Sequence, residues 1–194
     1  MIITLLGPPG SGKGTQGGML SSHLHIPHLS TGDMLRDIAA SGSPLGQRIS
    51  ETLARGHYME DGLVREMFEE RIDRQDCIGG FILDGFPRTL AQSVMLDDIL
   101  AARGRKLDAA ILLEVSDTTV MTRIAGRAAA AEHPRADDAP EIIPERLRLY
   151  RVTMTPILEA YTRQGRLMRQ SAEGSTDAVL AAIIHRAGLS LTLM

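Results

Sequence analysis

The residues that most clearly suggest chemistry form a glycine-rich segment near the start of the chain. Gly7, Gly12 and Lys13 fit the spacing G-x-x-x-x-G-K, and the apolar run 2–6 comes directly before them. A loop of this kind between a strand and a helix turns successive backbone N–H groups toward a phosphate. The ammonium group of Lys13 can reach the outer phosphates as a point charge. The segment therefore predicts phosphate binding.

A carboxylate and several arginines extend this predicted site. Asp84 ends the apolar run 81–84, and a carboxylate at the end of a strand can hold a water molecule of Mg²⁺. Phosphoryl transfer needs a cationic clamp more than an acid or base, because charge develops on the equatorial oxygens. Arginines at predicted strand ends and loops could supply that clamp: Arg36, Arg88, Arg123, Arg127, Arg135 and Arg146.

The phosphate loop alone fits a GTPase, an ATPase motor or a kinase. No Asn-Lys-x-Asp motif for reading guanine is present. Gly85 follows Asp84, whereas many ATPases place a glutamate there to activate water. Several convergent arginines favour a site that holds two phosphorylated substrates head to head.

Strands and helices alternate along the chain, and the strands are continuous apolar runs, which is typical of a parallel sheet covered on both faces. The sequence therefore predicts an α/β fold with a central parallel five-stranded sheet flanked by helices. Ligands bind beyond the C-terminal ends of such strands. The predicted strands are 2–6, 25–29, 81–84, 109–115 and one containing 167–168. One predicted helix follows the loop at 7–13, and a second begins at Met34. Six further helices are predicted at 44–55, 61–74, 90–100, 117–126, 141–164 and 177–186.

Composition bounds the class of protein. The 194 residues are 43% hydrophobic, which is enough for one sizeable core. A net charge of −3 gives no basic field for nucleic acid. No apolar run approaches the length of a membrane span, and the chain opens into a strand rather than a signal peptide. Cys77 is the only cysteine, which fits a reducing, cytoplasmic compartment.

Several segments of the chain, taken in order, resemble successive motifs of adenylate kinases. The segment 7–16 resembles their phosphate loop, in which glycine usually follows the lysine and threonine follows that glycine. The segments 29–36 and 81–92 resemble the AMP-site segment and the signature of the family. The segments 123–127 and 135–138 resemble the hinge and the lid. Their order and spacing make the resemblance specific.

The resemblance implies a P-loop nucleoside monophosphate kinase that transfers a phosphoryl group from ATP to AMP with Mg²⁺, giving two ADP. It divides the single domain 1–194 into a core, an AMP-binding insertion and a short lid. The lid is of the kind that lacks four zinc ligands, so zinc is not expected, and His133 alone makes no metal site. A monomer without nucleic-acid or membrane partners is the family expectation. The core comprises 1–29, 60–126 and 139–194, the insertion 30–59, and the lid 127–138.

The resemblance also assigns roles to individual residues. The ATP side comprises Gly10, Ser11, Gly12, Lys13, Gly14, Thr15, Arg123, Arg127 and Gly174. The AMP side comprises Thr31, Arg36, His57, Tyr58, Met59, Gly85, Phe86, Pro87, Arg88 and Gln92, together with Arg135 and Arg146, which span the transferring group. The catalytic residues are Lys13, Arg88, Arg123, Arg135 and Arg146, and Asp84 holds Mg²⁺ through water.

Two alternatives stay open at this point. One is a UMP/CMP kinase of the same architecture, although Thr31 and Gln92 favour adenine. The other is a nucleotide-binding switch or scaffold, although a switch needs no second nucleotide pocket. ATP and GTP are not distinguished as donors. The sequence also departs from the family pattern at 56–61 and at Gly17-Gly18, where each glycine is expected to weaken the first helix by about 1 kcal/mol relative to alanine.

Overall fold

In a computed structural model, which describes residues 1–132 and 135–189, five parallel strands form one sheet. The order across the sheet is β2-β3-β1-β4-β5, so the phosphate loop leaves the central strand β1. The α/β fold predicted from the sequence is confirmed. The strands are β1 (Ile2–Leu6), β2 (His28–Ser30), β3 (Phe81–Asp84), β4 (Ala109–Glu114) and β5 (Leu167–Ser171).

Helices connect successive strands and cover both faces of the sheet. Short 3₁₀ helices lie at Gln75–Cys77 and Ala136–Asp138. None of the helices within the described ranges is both long enough and apolar enough to cross a membrane. The α-helices are α1 (Lys13–Leu24), α2 (Thr31–Ala40), α3 (Pro44–Ala54), α4 (Asp61–Ile72), α5 (Leu90–Ala101), α6 (Asp117–Ala130), α7 (Ile143–Arg163) and α8 (Thr176–Arg186).

The sheet divides the core into two apolar layers. Alternate side chains of each strand point to opposite faces, so Ile2 and Phe81 pack with α4, α5 and α7. Ile3 and Ile82 point the other way and pack with Leu20 of α1 and with α8. Burial on both faces explains why β1, β3 and β4 contain few polar residues, whereas the edge strand β5 is partly exposed and contains Arg169 and Gln170. The sheet is therefore a rigid base from which the loops at its C-terminal edge project.

Several elements begin at residues other than those predicted. The Ser30 hydroxyl accepts a hydrogen bond from the backbone N–H of Asp33, so α2 begins at Thr31 rather than at Met34. The predicted strand 25–29 is wrong at its start, because His25 takes a left-handed conformation (φ 55°) that ends α1. Strand β2 therefore begins three residues later than expected.

The helices that flank the segment 127–138 also differ from the prediction. Ser116 caps α6 by accepting a hydrogen bond from the backbone of Thr119, and the helix continues past the predicted end at 126 to Ala130. Helix α7 begins at Ile143, two residues later than predicted, has Pro144 in its first turn as predicted, and continues through Pro156. Between these helices, Val120, Ile124, Ile143 and Leu147 form a small apolar cluster.

The segment 30–59 contains α2 and α3, whose apolar side chains form a small cluster that they share with α4. Its apolar residues Leu35 and Ile49 pack against Met67 of α4. Serine caps both helices, since the Ser43 hydroxyl accepts a hydrogen bond from Gly46 at the start of α3. The segment also contacts the core outside α4, since the Thr31 hydroxyl lies 3.3 Å from the Asp84 carbonyl oxygen and the Tyr58 hydroxyl lies 3.4 Å from that of Thr153.

The two glycines in α1 have different surroundings. Gly17 is buried, and a Cβ at this position would overlap the imidazole ring of His28 on β2. Gly18 is exposed, and no atom lies within 4 Å of the place that its Cβ would take. The close approach of α1 to β2 therefore requires glycine at position 17 only.

Candidate active site

A cleft of about 1030 Å³ lies at the C-terminal edge of the sheet. The glycine-rich loop forms one side, and the segment 30–59, the loop after β3, α6 and the start of α7 supply the rest. This is the position predicted for a ligand site in a parallel α/β fold. The predicted site residues that line it are Gly10, Ser11, Gly12, Lys13, Gly14, Thr15, Arg36, His57, Tyr58, Gly85, Pro87, Arg88, Arg123, Arg127, Arg135, Arg146 and Gly174, together with Asp84.

The glycine-rich loop has the backbone shape of a phosphate site. Gly10 (φ 77°) and Gly12 (φ 95°) are left-handed, and α1 begins immediately afterwards at Lys13. A Cβ at Gly10 would lie 2.9 Å from Cγ1 of Ile124, so α6 also excludes a side chain there. The loop therefore presents backbone N–H groups together with the positive end of the α1 dipole.

Lys13 points along the loop into the cleft. Its Nζ donates to the carbonyl oxygens of Gly7 at 2.8 Å and Pro8 at 2.9 Å. Burial lowers the pKa of Lys13 from 10.5 to about 8, and the charges of Arg88 and Arg146 add to the shift, whereas Asp84 opposes it. An anion in the cleft would relieve this concentration of positive charge.

Asp84 ends β3 beside the loop and is 9% exposed. Its Oδ2 lies 3.6 Å from Nε2 of His28, which is too long for a hydrogen bond and leaves that buried nitrogen without a partner. Burial by itself raises the pKa of the Asp84 carboxyl, but the adjacent His28 and the charge of Lys13 outweigh burial and hold it below its ordinary value. Asp84 is therefore a carboxylate at neutral pH.

Asp84 is the carboxylate that lies beside the phosphate loop and is available to a metal ion there. Within residues 1–132 and 135–189, no group of three or more His, Cys, Asp or Glu side chains is arranged to hold a metal ion. Mg²⁺ commonly keeps several waters and takes only one or two carboxylates beside substrate phosphates. A single buried carboxylate next to a phosphate loop fits that donor set. His133 lies outside the described residues, so the expected absence of zinc stays a prediction.

Two aspartates hold arginines of α6 and α7. Asp138, whose side chain is 1% exposed, accepts hydrogen bonds from Nε and a terminal nitrogen of Arg127 at 2.8 and 2.7 Å. It also accepts from Arg146 at 2.9 Å, and Arg146 forms a second ion pair with Asp137 at 2.9 Å. These bidentate contacts fix both guanidinium groups at the edge of the cleft.

A third aspartate, Asp33, belongs to the segment 30–59 and faces an arginine of the segment 127–138. Asp33 accepts a hydrogen bond from Arg36 at 2.5 Å and lies 3.5 Å from a terminal nitrogen of Arg135. Burial raises the pKa of the Asp33 carboxyl, but hydrogen bonds from Arg36 and Ser30 outweigh burial and lower that pKa. The pair Asp33–Arg135 joins the two segments across the mouth of the cleft.

Two further arginines are held without a carboxylate within 4 Å among the described residues. Arg123 donates to the carbonyl oxygens of Ser11 at 3.2 Å and Ala172 at 2.8 Å, which ties α6 to the phosphate loop. Arg88 donates from Nε to the Gly85 carbonyl at 2.7 Å, and its Cζ lies 5.2 Å from the centre of the Tyr58 ring. Their remaining N–H groups are directed by backbone and ring contacts.

Some predicted residues contribute differently from what their side chains suggest. Phe86 is fully buried, and its ring packs 5.0 Å from that of Phe68, so only its backbone can approach the cleft. Gln92 is buried, accepts from the Arg88 backbone at 2.8 Å and donates to Asp61 at 2.7 Å. A smaller pocket beside the main cleft is lined by Thr31, Met59 and Gln92, among others.

The prediction from sequence gave no role to the aspartates that pair with the arginines. Asp33, Asp137 and Asp138 each lie close to a predicted site arginine in the sequence. Acidic residues at such spacing signal ion pairing only if the arginines converge, and that convergence depends on tertiary structure. His28 was also missed, because a histidine in a short strand has no distinctive pattern.

The parallel sheet, the glycine-rich loop on its central strand and the arginines opposite define a P-loop α/β protein of the nucleotide kinase class. A model of the family described as adenylate kinase matches residues 5–166. An adenylate kinase of Phenylobacterium zucineum is 48% identical over 183 residues, which cover 94% of this chain and 95% of that relative. Adenylate kinases of Xanthomonas campestris and Xylella fastidiosa are 45% and 42% identical, over 94% and 97% of this chain and 97% and 100% of the relatives.

The chain therefore belongs to the adenylate kinase family and is a phosphotransferase. This confirms the family, the nucleoside monophosphate kinase fold, the adenylate kinase function and the enzyme class that the sequence predicts. The roles of individual residues and the division into core, insertion and lid stay predictions.

Proposed function

We propose that the chain transfers the γ-phosphoryl group of ATP to AMP, with Mg²⁺, and forms two molecules of ADP. The observation that carries this proposal is the two-sided cleft, in which a phosphate loop faces arginines from several separate segments. A nucleotide switch needs the loop but has no use for a second cluster of cations. Two phosphorylated substrates placed head to head use both sides.

ATP binds on the loop side. The backbone N–H groups of residues 10–15 surround its phosphates at the start of α1, and Lys13 turns from the carbonyls of the loop to the outer phosphates. Arg123 packs on the base and Arg127 contacts the phosphates, both from α6. The backbone near Gly174 lies beside the adenine. The position of all these groups around one cleft supports this assignment.

AMP binds between the segment 30–59 and the loop after β3. Arg36 and Arg88 direct guanidinium groups at its phosphate, beside the backbone of 57–59 and 85–88. The Gln92 amide keeps one N–H and one lone pair beyond the two bonds that it makes here, and these suit the edge of adenine. Thr31 lines the same pocket.

The reaction needs positioning more than proton transfer. An oxygen of the AMP phosphate, which is already anionic, forms the new bond to the γ-phosphorus while the bond from that phosphorus to the β–γ bridging oxygen breaks. No side chain has to remove a proton from the nucleophile. Arg135 and Arg146 span the transferring group and stabilise the charge on its equatorial oxygens.

Asp84 is the residue that we assign to the magnesium site. It is ionised, buried and beside the phosphate loop, with Oδ2 3.6 Å from the place that a Cβ on Gly14 would take. Mg²⁺ keeps several waters in its shell, and we assign Asp84 to hold one of these waters. When bound, Mg²⁺ neutralises charge on the β- and γ-phosphates.

The segment 30–59 acts as an AMP-binding insertion and the segment 127–138 as a lid, which together exclude water from the reaction. The contact of Asp33 with Arg135 across the mouth of the cleft supports this division. Exclusion of water matters because an open site would let water take the phosphoryl group. The remaining segments form the core.

The experiment that tests this function measures ATP consumption with AMP, CMP, UMP or GMP as the acceptor. We expect fast consumption with AMP and slow consumption with the other three. Preference for UMP or CMP would identify a pyrimidine nucleotide kinase, and consumption that ignores every acceptor would identify a switch or hydrolase. Replacing ATP by GTP in the same assay determines which nucleotide is the preferred donor, because the side chains of the cleft do not distinguish the two.

We also propose that the enzyme works as a monomer in the cytoplasm on free nucleotides. A net charge of −3 supports small-molecule substrates rather than nucleic acid. The only cysteine, Cys77, is a buried free thiol, and burial raises its pKa, which fits a protein that needs no oxidising compartment. Size-exclusion chromatography with light scattering tests the oligomeric state.

A further inference from the structure

The AMP side of the cleft contains an aromatic ring to which no side-chain role is yet assigned. Tyr58 lies between α3 and α4, is half-buried and lines both the main cleft and the smaller pocket beside it. Its ring centre lies 5.2 Å from Cζ of Arg88. Its hydroxyl lies 3.4 Å from the Thr153 hydroxyl on α7, a contact that connects the segment 30–59 with the core.

Arg88 is held in a different way from most arginines of the cleft. Arg36, Arg127, Arg135 and Arg146 each pair with a carboxylate. Within the described ranges, Arg88 has no such partner, and its one side-chain hydrogen bond runs from Nε to the Gly85 carbonyl. The ring of Tyr58 is therefore the second contact that orients its guanidinium group.

A ring and a carboxylate both orient an arginine, but they leave different numbers of its N–H donors free. A carboxylate occupies the N–H groups that a phosphate would need, so binding of the phosphate must displace it. An aromatic face within about 6 Å attracts the cation without using an N–H donor. The two terminal nitrogens of Arg88 thus stay available to an incoming anion while the group is held in place.

The scarcity of aromatic residues makes this placement informative. The chain has three tyrosines, three phenylalanines and no tryptophan. All three phenylalanines and Tyr161 are buried in the main core. The third tyrosine, Tyr150, also lines the cleft. Among the described residues, Tyr58 is the aromatic residue of the cleft with a cation over its ring.

We infer that Tyr58 is a positioning residue for the acceptor nucleotide, whose ring holds Arg88 oriented toward the AMP phosphate. This inference rests on the proposed function, because that function assigns Arg88 to the acceptor phosphate. The proposed function uses only the backbone of 57–59 to contact AMP, and the inference adds a side-chain role at Tyr58.

The test compares Tyr58→Leu, which removes the ring, with Tyr58→Phe, which keeps it. Steady-state kinetics give KM for AMP, KM for ATP and kcat, and thermal unfolding gives Tm. We expect Tyr58→Leu to raise KM for AMP by about fivefold to thirtyfold, which corresponds to about 1–2 kcal/mol, the upper part of the range for loss of one cation–π contact. KM for ATP should stay within about twofold, and Tyr58→Phe should stay within about threefold of the wild type in every parameter.

A double-mutant cycle with Arg88→Ala decides whether the ring acts through Arg88. If it does, adding Tyr58→Leu to Arg88→Ala leaves KM for AMP unchanged, because the group that the ring orients is already absent. The inference would be overturned if the effects of Tyr58→Leu and Arg88→Ala on KM for AMP multiply. It would also be overturned if Tyr58→Leu leaves KM for AMP unchanged, or if Tyr58→Phe and Tyr58→Leu show equal losses. The wild-type rate with and without AMP, measured in the same series, separates failure of the proposed function from failure of this inference.

Discussion

The two sides of the cleft hold positive charge in different ways. On the loop side, backbone N–H groups and one ammonium group come from a single stretch of nine residues, 7–15. The remaining wall of the cleft, which we call the arginine side, carries guanidinium groups from α2, α6, α7 and two loops, and most of them pair with aspartates. Our proposal assigns the two arginines of α6 to ATP and the others to AMP or to the transferring group. The loop side is thus set by local backbone geometry, whereas the arginine side depends on the tertiary fold.

This difference has a consequence for binding. The loop side needs little rearrangement, because its glycines already hold the backbone in shape. Under the proposed function, the paired arginines exchange some contacts with Asp33, Asp137 and Asp138 for contacts with phosphates. The carboxylates keep the cations apart and oriented while no anion is present, so the charges do not repel one another from the cleft.

The largest effect is expected at the single cation of the loop. Lys13→Met removes the charge that our proposal assigns to the outer phosphates of ATP, and turnover should fall by at least about 100-fold, the usual loss for one preorganised donor. Circular dichroism should show an unchanged fold. The matched control is Lys106→Met, since Lys106 is the other lysine of the chain and is exposed. Near wild-type turnover in Lys13→Met would contradict the assignment of this residue.

On the arginine side, Arg146→Lys tests the paired guanidinium groups. Lysine keeps the charge but cannot contact Asp137 and Asp138 together with the transferring group, so kcat should fall by about 10-fold to 100-fold. Arg148→Lys is the control, because Arg148 is exposed on the same helix and pairs with Glu145. Equal activity of the two variants would show that the fork geometry of Arg146 is not used.

The loop side should also respond to pH through Lys13. Lys13 has a pKa of about 8, so its charge is present below that pH and is lost as the pH rises through it. The value of kcat/KM for ATP, which reports the free enzyme, should therefore decline above a pH of about 8. Lys13→Arg keeps its charge over this range, so its lower activity should lack the decline. A wild-type profile that stays level to pH about 10 would contradict the lowered pKa.

The smallest effects are expected in α1, where the loop side continues into the core. Gly18→Ala should raise the free energy of unfolding by about 0.5–1 kcal/mol, because the position is exposed and alanine favours the helix. Gly17→Ala should lower it by about 1–3 kcal/mol, because the Cβ displaces the His28 ring. Chemical denaturation measures both. Adding His28→Ala should rescue Gly17→Ala, and stabilisation by both alanines would refute the steric account.

The sequence and the structure agree best where the signal is local. The phosphate loop, the continuous apolar strands and most helices could be predicted because spacing within a short window determines them. The start of α2 could not be placed correctly, since Ser30 and several neighbours are all suitable caps and only the backbone selects one. The requirement for Gly17 was invisible, because it arises from His28 on another element.

The arginine side was predicted as a set of residues but not as an arrangement. Family resemblance supplied the set, whereas the pairing of Asp138 with both Arg127 and Arg146 depends on how α6 and α7 meet. The contact of Tyr58 with Arg88 joins residues that are 30 positions apart and has no sequence pattern. Tertiary contacts between distant charged and aromatic groups are thus what the sequence leaves undetermined.

The central claim is that the two sides of the cleft act on two nucleotides at once. The most direct test uses ATP with a label in its γ-phosphate and follows that label in the presence and absence of AMP. The account predicts that the label appears in the β-phosphate of ADP when AMP is present and stays in ATP when AMP is absent. Release of the label as inorganic phosphate, at a rate that AMP does not change, would contradict it.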